Sequence, residues 1–316
     1  MKCCEFAEFG KPEEVVKVAE RPSPTRGKGK VKLRVLYAPI NPADINFIEG
    51  RYGVKPELPA VPGMEGCAEV LEADGEDFPV GTRVIFLRRG GSWREELVCD
   101  PADLIAVPDE IDPLQASMLG VNPLTAWCLL TQFEQLLPGD VILQNAANSN
   151  VGRCVIQLAR QREIVTVNTV RREELVSELK GLGADHVVID GDPLPDVPSP
   201  KLAFNCVGGD SAIRQLKALA PQGRQVTFGA MAKKPLNAPA GLMIFKGLSL
   251  TGFWVTEWIK QQAPQTVRMA YEELAACVMA GELEQAVDEV FPMEDVSRAL
   301  ERAQTGGREG KVVLKL

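Results

Sequence analysis

From residue 140 onward, short apolar runs alternate with segments of helical periodicity, and no other feature constrains the fold as much. Asp140-Val-Ile-Leu-Gln-Asn145 reads as a strand, Val151 to Arg162 as a helix, Ile164 to Val170 as a strand and Arg172 to Leu182 as a helix. The strands continue with His186-Val-Val-Ile189, Leu202-Ala-Phe-Asn-Cys-Val207, Gln225-Val-Thr-Phe228 and Leu248-Ser-Leu-Thr-Gly-Phe253. Short apolar strands alternating with helices imply parallel βαβ units with right-handed crossovers. The expected architecture is α/β, with a doubly wound parallel sheet.

The first third of the chain has a different pattern. Val31-Lys-Leu-Arg-Val-Leu36 alternates apolar and polar residues, as a half-buried strand does. Gly66-Cys-Ala-Glu-Val-Leu71 and Gly81-Thr-Arg-Val-Ile-Phe86 read as further strands, with Gly and Pro punctuating the segments between. This predicts a mostly antiparallel β domain. Pro113 to Leu119 and Pro123 to Phe133 have helical patterns, Ala263 to Ala280 reads as one longer helix, and Gly310-Lys-Val-Val-Leu-Lys315 is a final strand placed to rejoin the first domain.

Composition narrows the function classes. The net charge of −8 argues against nonspecific nucleic-acid binding, which needs cations to neutralise phosphates. No apolar run approaches the ~20 residues that span a bilayer, and no basic segment followed by an apolar one marks a signal peptide. The expectation is a protein without membrane or nucleic-acid partners, in the cytoplasm, or in an organellar matrix for a processed eukaryotic form. The eight cysteines include no C-x-x-C pair, a spacing that suits reduced structural thiols rather than disulfides or a metal.

A cofactor site in such a sheet belongs at the carboxyl ends of the strands. The first turn there, Asn145-Ala-Ala-Asn-Ser-Asn-Val-Gly152, lacks the G-x-G-x-x-G fingerprint but keeps small residues and a helix N-terminus that suits phosphate. On composition alone, a dinucleotide site and a plain turn are equally good readings. The second strand ends in Arg171 and Arg172 rather than in the Asp or Glu that accepts from a ribose 2′-hydroxyl. A guanidinium there can bind a 2′-phosphate through paired, charge-assisted hydrogen bonds, which favours NADPH. The bland alternative is a solvated face whose charge Glu173 and Glu174 partly offset.

With these pieces placed, the chain resembles the zinc-free medium-chain dehydrogenase/reductases, and within them the mitochondrial-type trans-2-enoyl thioester reductases. The resemblance rests on Asn41-Pro-Ala-Asp-Ile-Asn46 with Gly50-Arg-Tyr-Gly53, on Leu119-Gly-Val-Asn-Pro-Leu-Thr-Ala126, and on Pro138-Gly-Asp140 joined to Gln144-Asn-Ala-Ala-Asn-Ser-Asn-Val-Gly152. Asn205-Cys-Val-Gly-Gly209, Gly229-Ala-Met-Ala-Lys233 and Gly252-Phe-Trp254 extend it along the chain. The resemblance implies a GroES-like, mostly β catalytic domain (1–115 and 264–316) and a Rossmann domain (116–263). It implies NADPH-dependent reduction of an enoyl-ACP or enoyl-CoA, with a quinone or enone reductase of the same superfamily as the alternative. A non-catalytic NADPH-binding sensor is a more distant one.

The same likeness assigns the site residues. Tyr52 takes the position of the proton donor; a phenol has a suitable O–H, although a loop tyrosine can equally be packing its ring. Asn122 matches a nicotinamide-side contact. Asn148, Ser149, Asn150 and Val151 match the pyrophosphate turn, and Arg171 the 2′-phosphate arginine. The family then tends to have Asp and Arg where this chain has Arg172 and Glu173, a departure that bears on the strength of the NADPH preference. Phe228, Gly229, Ala230 and Met231, then Phe253, Trp254, Val255 and Thr256, correspond to later cofactor loops, and Lys311 to a basic contact near the terminus. No metal is expected, because Gly63-Met64-Glu65 has methionine where a zinc enzyme places a histidine ligand, and the sole histidine, His186, lies in the dinucleotide domain. A homodimer paired through the Leu248–Phe253 strand is also implied.

Overall fold

The computed structural model describes every residue except Arg89. The chain divides into two compact units, one comprising Met1–Val121, Tyr271–Met279 and Glu284–Leu316, the other Asn122–Ala270 with Ala280–Leu283.

In the first unit the strands Val287–Pro292, Lys311–Lys315, Val31–Pro39, Cys67–Glu72, Arg83–Phe86 and Leu104–Ala106 lie side by side in that order, and Glu96–Cys99 also pairs with Val31–Pro39. Every pairing is antiparallel except that of Val287–Pro292 with Lys311–Lys315, which the helix Val296–Gln304 connects. The expected return of the C-terminal strand therefore occurs, against Tyr37, Ala38 and Pro39. The alternation in Val31–Pro39 buries Val31, Leu33 and Val35 while Lys32 and Arg34 stay accessible. Those valines and leucines form one core with Ala68, Val70, Val84 and Phe86. A second core gathers Phe6, Phe47, Ile48 and Trp93 with Val312 and Leu314, and Phe6 meets Phe47 edge-on at 5.6 Å.

The second unit carries a six-stranded parallel sheet. Its spatial order is His186–Ile189, Val165–Val170, Val141–Asn145, Leu202–Asn205, Arg224–Thr227, Ser249–Gly252. Sequence order thus runs outward from Val141–Asn145 in both directions, the doubly wound arrangement expected. Val141–Asn145 and Leu202–Asn205 are buried at every position, as strands covered on both faces must be. The reversal point falls between these two strands.

Two helices are shorter than their sequence patterns predict. Pro113–Leu119 is helical only over Pro113–Ala116 and continues as a tight turn, with Met118 and Leu119 donating three residues back. The helix expected from Arg172 begins at Leu175, because Leu175 and Val176 donate to Arg172 and Glu173 in successive turns. The two arginines therefore occupy a turn at the strand end rather than a helix face.

Candidate active site

In the first unit, Tyr52 follows the helix Pro42–Ile48, whose N-terminus is closed by a capping box between Asn41 and Asp44. The chain leaves that helix through Gly50, at φ +72°, where an added Cβ would approach the Phe9 ring to 2.9 Å. Glycine is therefore required by both backbone and space. Arg51 and Tyr52 each donate their N–H to the Asn46 carbonyl, at 2.8 and 3.0 Å. This turn packs the half-buried Tyr52 against the Phe6–Phe47 core.

The same unit contains a buried ionic group that sequence patterns do not reveal. Glu65 is 1% exposed and accepts from Asn41 Nδ2 at 2.8 Å and from the Val121 N–H at 2.7 Å. Lys311, 4% exposed, donates to Asn41 Oδ1. Asp44 accepts from the Asn41 N–H at 2.8 Å and the Gly63 N–H at 3.2 Å. Burial pushes Glu65 up to about 7 and Asp44 up to about 6, with the Lys311 charge opposing both shifts. Lys311, matched in sequence to a cofactor contact, is thus enclosed beside Asn41 in the first unit.

In the second unit the parallel strands bring most of the expected cofactor residues to one sheet edge. After Val141–Asn145, Ser149 caps the helix Asn150–Gln161 by accepting from the Gly152 N–H at 3.2 Å. A Cβ on Gly152 would lie 2.5 Å from the Ala147 carbonyl oxygen, so only glycine lets the turn close on the helix. Arg153, which the sequence reading missed, is buried; its Nε donates to the Asn148 carbonyl at 3.1 Å and its guanidinium pairs with Glu178.

At the end of Val165–Val170, Arg172 pairs with Glu174 at 3.0 Å, whereas Arg171 is exposed and forms no ion pair with a described residue. Phe228 to Met231 follow the strand Arg224–Thr227, and Phe228 donates to the Asn205 carbonyl at 3.0 Å. Phe253 to Thr256 follow Ser249–Gly252, with the Phe253 ring edge-on to Phe133 and Lys260 over the Trp254 ring. Val255 and Thr256 begin a helix, Val255–Gln261, that the sequence pattern did not announce. Asn122 is buried at the first position of the helix Asn122–Thr131. Small residues, a capped helix start and an exposed arginine on one sheet edge suit a dinucleotide with an extra phosphate.

The family described as alcohol dehydrogenase GroES-like domain matches residues 27–109, and that described as zinc-binding dehydrogenase matches residues 182–314. The mitochondrial enoyl-[acyl-carrier-protein] reductase of Homo sapiens is 38% identical over 98% of this chain and 87% of its own. The chain belongs to this branch of the medium-chain dehydrogenase/reductase family. A putative NADPH:quinone reductase from Bacillus thuringiensis superposes with a TM-score of 0.92 at 27% identity, covering 100% of this chain and 98% of that one. The complex of Etr1p, a 2-enoyl thioester reductase of Candida tropicalis, with NADP and crotonyl-CoA superposes at 0.89 and 26% identity, covering 100% and 99%.

Family membership raises zinc, and the residues do not fit it. Met64 offers no imidazole, and Glu65 is committed to Asn41 and Val121. His186 lies within a strand of the parallel sheet, opposite Val167. Among the described residues no three His, Cys, Asp or Glu side chains form a group able to hold a metal ion. No catalytic step is therefore assigned to a metal.

Proposed function

We propose that this protein is an NADPH-dependent trans-2-enoyl thioester reductase. The observation that carries the reading is 38% identity to the human enoyl-[acyl-carrier-protein] reductase along 98% of the chain. When bound, NADPH supplies the hydride that reaches the β-carbon of the double bond. The chain binds the cofactor with the Asn148–Val151 turn, the Phe228–Met231 and Phe253–Thr256 loops and Asn122, whereas Lys311 is taken up by its buried bond to Asn41. Tyr52 delivers the proton to the α-carbon from its phenolic O–H, completing the addition of two hydrogens across the bond.

The preference for NADPH is assigned to Arg171. With no ion pair to a described residue, its guanidinium is able to take a 2′-phosphate, while Arg172 is already occupied by Glu174. A homodimer belongs to the same reading. The strand Ser249–Gly252 lies at one edge of the parallel sheet, and Phe245 on the preceding helix is 88% exposed. Pairing two such edges would cover unpaired backbone and apolar surface together.

The deciding experiment follows NADPH absorbance with crotonyl-CoA and longer trans-2-enoyl-CoAs, alongside NADH and a quinone. Thioester-dependent oxidation, faster with NADPH, supports the reading. The superposition on the Bacillus protein favours a second reading, a quinone reductase; turnover of quinone and none of thioester would select it.

A further inference from the structure

The strand order of the parallel sheet reverses between Val141–Asn145 and Leu202–Asn205, and both strands end in asparagine. Backbone register between them runs from Ile142/Leu202 to Gln144/Phe204. One residue further, the side chains continue the pairing. Asn145 Nδ2 donates to Asn205 Oδ1 at 2.9 Å and to Ser211 Oγ at 3.1 Å. Asn145 Oδ1 accepts from the Cys206 N–H at 2.9 Å. Asn205 Oδ1 also accepts from the N–H groups of Val207 and Gly208, at 3.2 and 3.0 Å. Its Nδ2 reaches the next strand, donating to Thr227 Oγ1 at 3.0 Å.

Both amides are buried, Asn205 completely. Burying amides is unfavourable unless they are hydrogen-bonded, and an apolar pair would fill a sheet interior at no such risk. Their placement gives the polar choice a purpose. The chain leaving Asn145 is the 146–149 turn, the chain leaving Asn205 is the 206–208 loop, and the chain leaving Thr227 is the 228–231 loop. The second and third of these are also joined by backbone, Met231 N–H to the Cys206 carbonyl and Ala232 N–H to that of Val207, both at 2.9 Å.

We propose that Asn145 and Asn205 are positioning residues, an amide bridge across the reversal point that sets the 146–149 and 228–231 cofactor loops, and the 206–208 loop between them, relative to one another before the dinucleotide arrives. The proposal rests on the reading that this sheet edge binds NADPH. Neither asparagine touches the cofactor in this account. Each acts through the loops it anchors, so removal weakens cofactor binding rather than substrate binding or the proton step.

The test is direct titration of Asn145→Ala, Asn205→Ala and the double variant with NADPH, without substrate, followed by steady-state kinetics. Each single change should weaken NADPH binding about fivefold or more, the loss expected for one net hydrogen bond. The double variant should lose less than the product of the singles, because the bridge is shared. KM for the enoyl thioester should stay within about twofold of the unmodified protein, which a general loss of structure would not allow. Folded variants that bind NADPH as tightly as the unmodified protein would overturn the bridge alone. An unmodified protein that fails to bind NADPH would overturn the cofactor reading, and the bridge with it. Where the alanine variants do not fold, Ser211→Ala and Thr227→Val each remove one bond of the network. Unchanged NADPH affinity in both would equally overturn the proposal.

Discussion

The Asn41 side-chain amide links two opposite charges, donating to Glu65 Oε1 at 2.8 Å while accepting from Lys311 Nζ. This buried contact makes stability depend on pH. A glutamate in the unfolded chain takes up its proton near 4.5, whereas Glu65 does so near 7 because burial disfavours its charge. Asp44 moves in the same direction, from 3.8 to about 6. Between those values the folded state holds more protons than the unfolded one, so these groups contribute stability that is fully present at low pH and lost as pH rises toward 7. Urea unfolding between pH 4.5 and 7 should show a downward slope approaching about 1.4 kcal/mol per pH unit for each proton involved. Glu65→Gln keeps one acceptor oxygen for either Asn41 Nδ2 or the Val121 N–H and turns its NH2 toward the other, so it should be less stable at low pH, and its slope should be shallower. An unchanged slope would remove Glu65 as the titrating group.

Tyr52→Phe removes one oxygen and leaves the ring that packs against the Phe6–Phe47 core. The fold should therefore be unaffected, and NADPH binding unchanged. The rate with crotonyl-CoA should fall by about 100-fold or more, the usual contribution of a positioned acid. Stopped-flow turnover and NADPH titration on the same preparation separate the two effects. An unaltered rate would end the proton-donor assignment.

Arg171→Ala tests cofactor choice without touching the neighbouring pair of Arg172 with Glu174. KM for NADPH should rise about tenfold or more, since hydrogen bonds to a charged group are worth roughly 1.5–3 kcal/mol. KM for NADH, which has no 2′-phosphate, should stay put. A parallel loss with both cofactors would place Arg171 in the fold rather than in recognition.

The parallel sheet was legible in sequence because each strand is a short apolar run and each crossover carries helical periodicity. The strand Val287–Pro292 was not: its acidic residues at 288 and 289 interrupt any alternation, and its place is set by pairing with Lys311–Lys315. Tyr52 was singled out as a candidate through the resemblance that Gly50-Arg-Tyr-Gly53 carries, a local pattern. Glu65, Asn41 and Lys311 come together across 270 residues of chain, so no window could show that they meet. The Asn145–Asn205 bridge spans 60 residues and was hidden for the same reason. The two arginines fell on a turn rather than a helix because the bonds of Leu175 and Val176 to residues 172 and 173 form turns, a detail periodicity cannot resolve.

Gly152 gives the sharpest test of the cofactor turn. Its Cβ position is 2.5 Å from the Ala147 carbonyl oxygen and 2.8 Å from that residue's carbonyl carbon and Cα, all backbone atoms that cannot rotate away. Elsewhere in a helix, alanine would gain up to ~1 kcal/mol over glycine through propensity. Here the clash opposes that gain, and relief requires the turn to lift off the helix, which lengthens the Ser149 cap to the 152 N–H. Gly152→Ala should therefore lose about 1–3 kcal/mol in urea unfolding, the range for overpacked sites. It should also weaken NADPH binding, because the residues displaced are those proposed to face the phosphates. A variant as stable as the unmodified protein, with unchanged NADPH affinity, would show that the turn is looser than this packing implies and that its closeness to the helix does not govern binding.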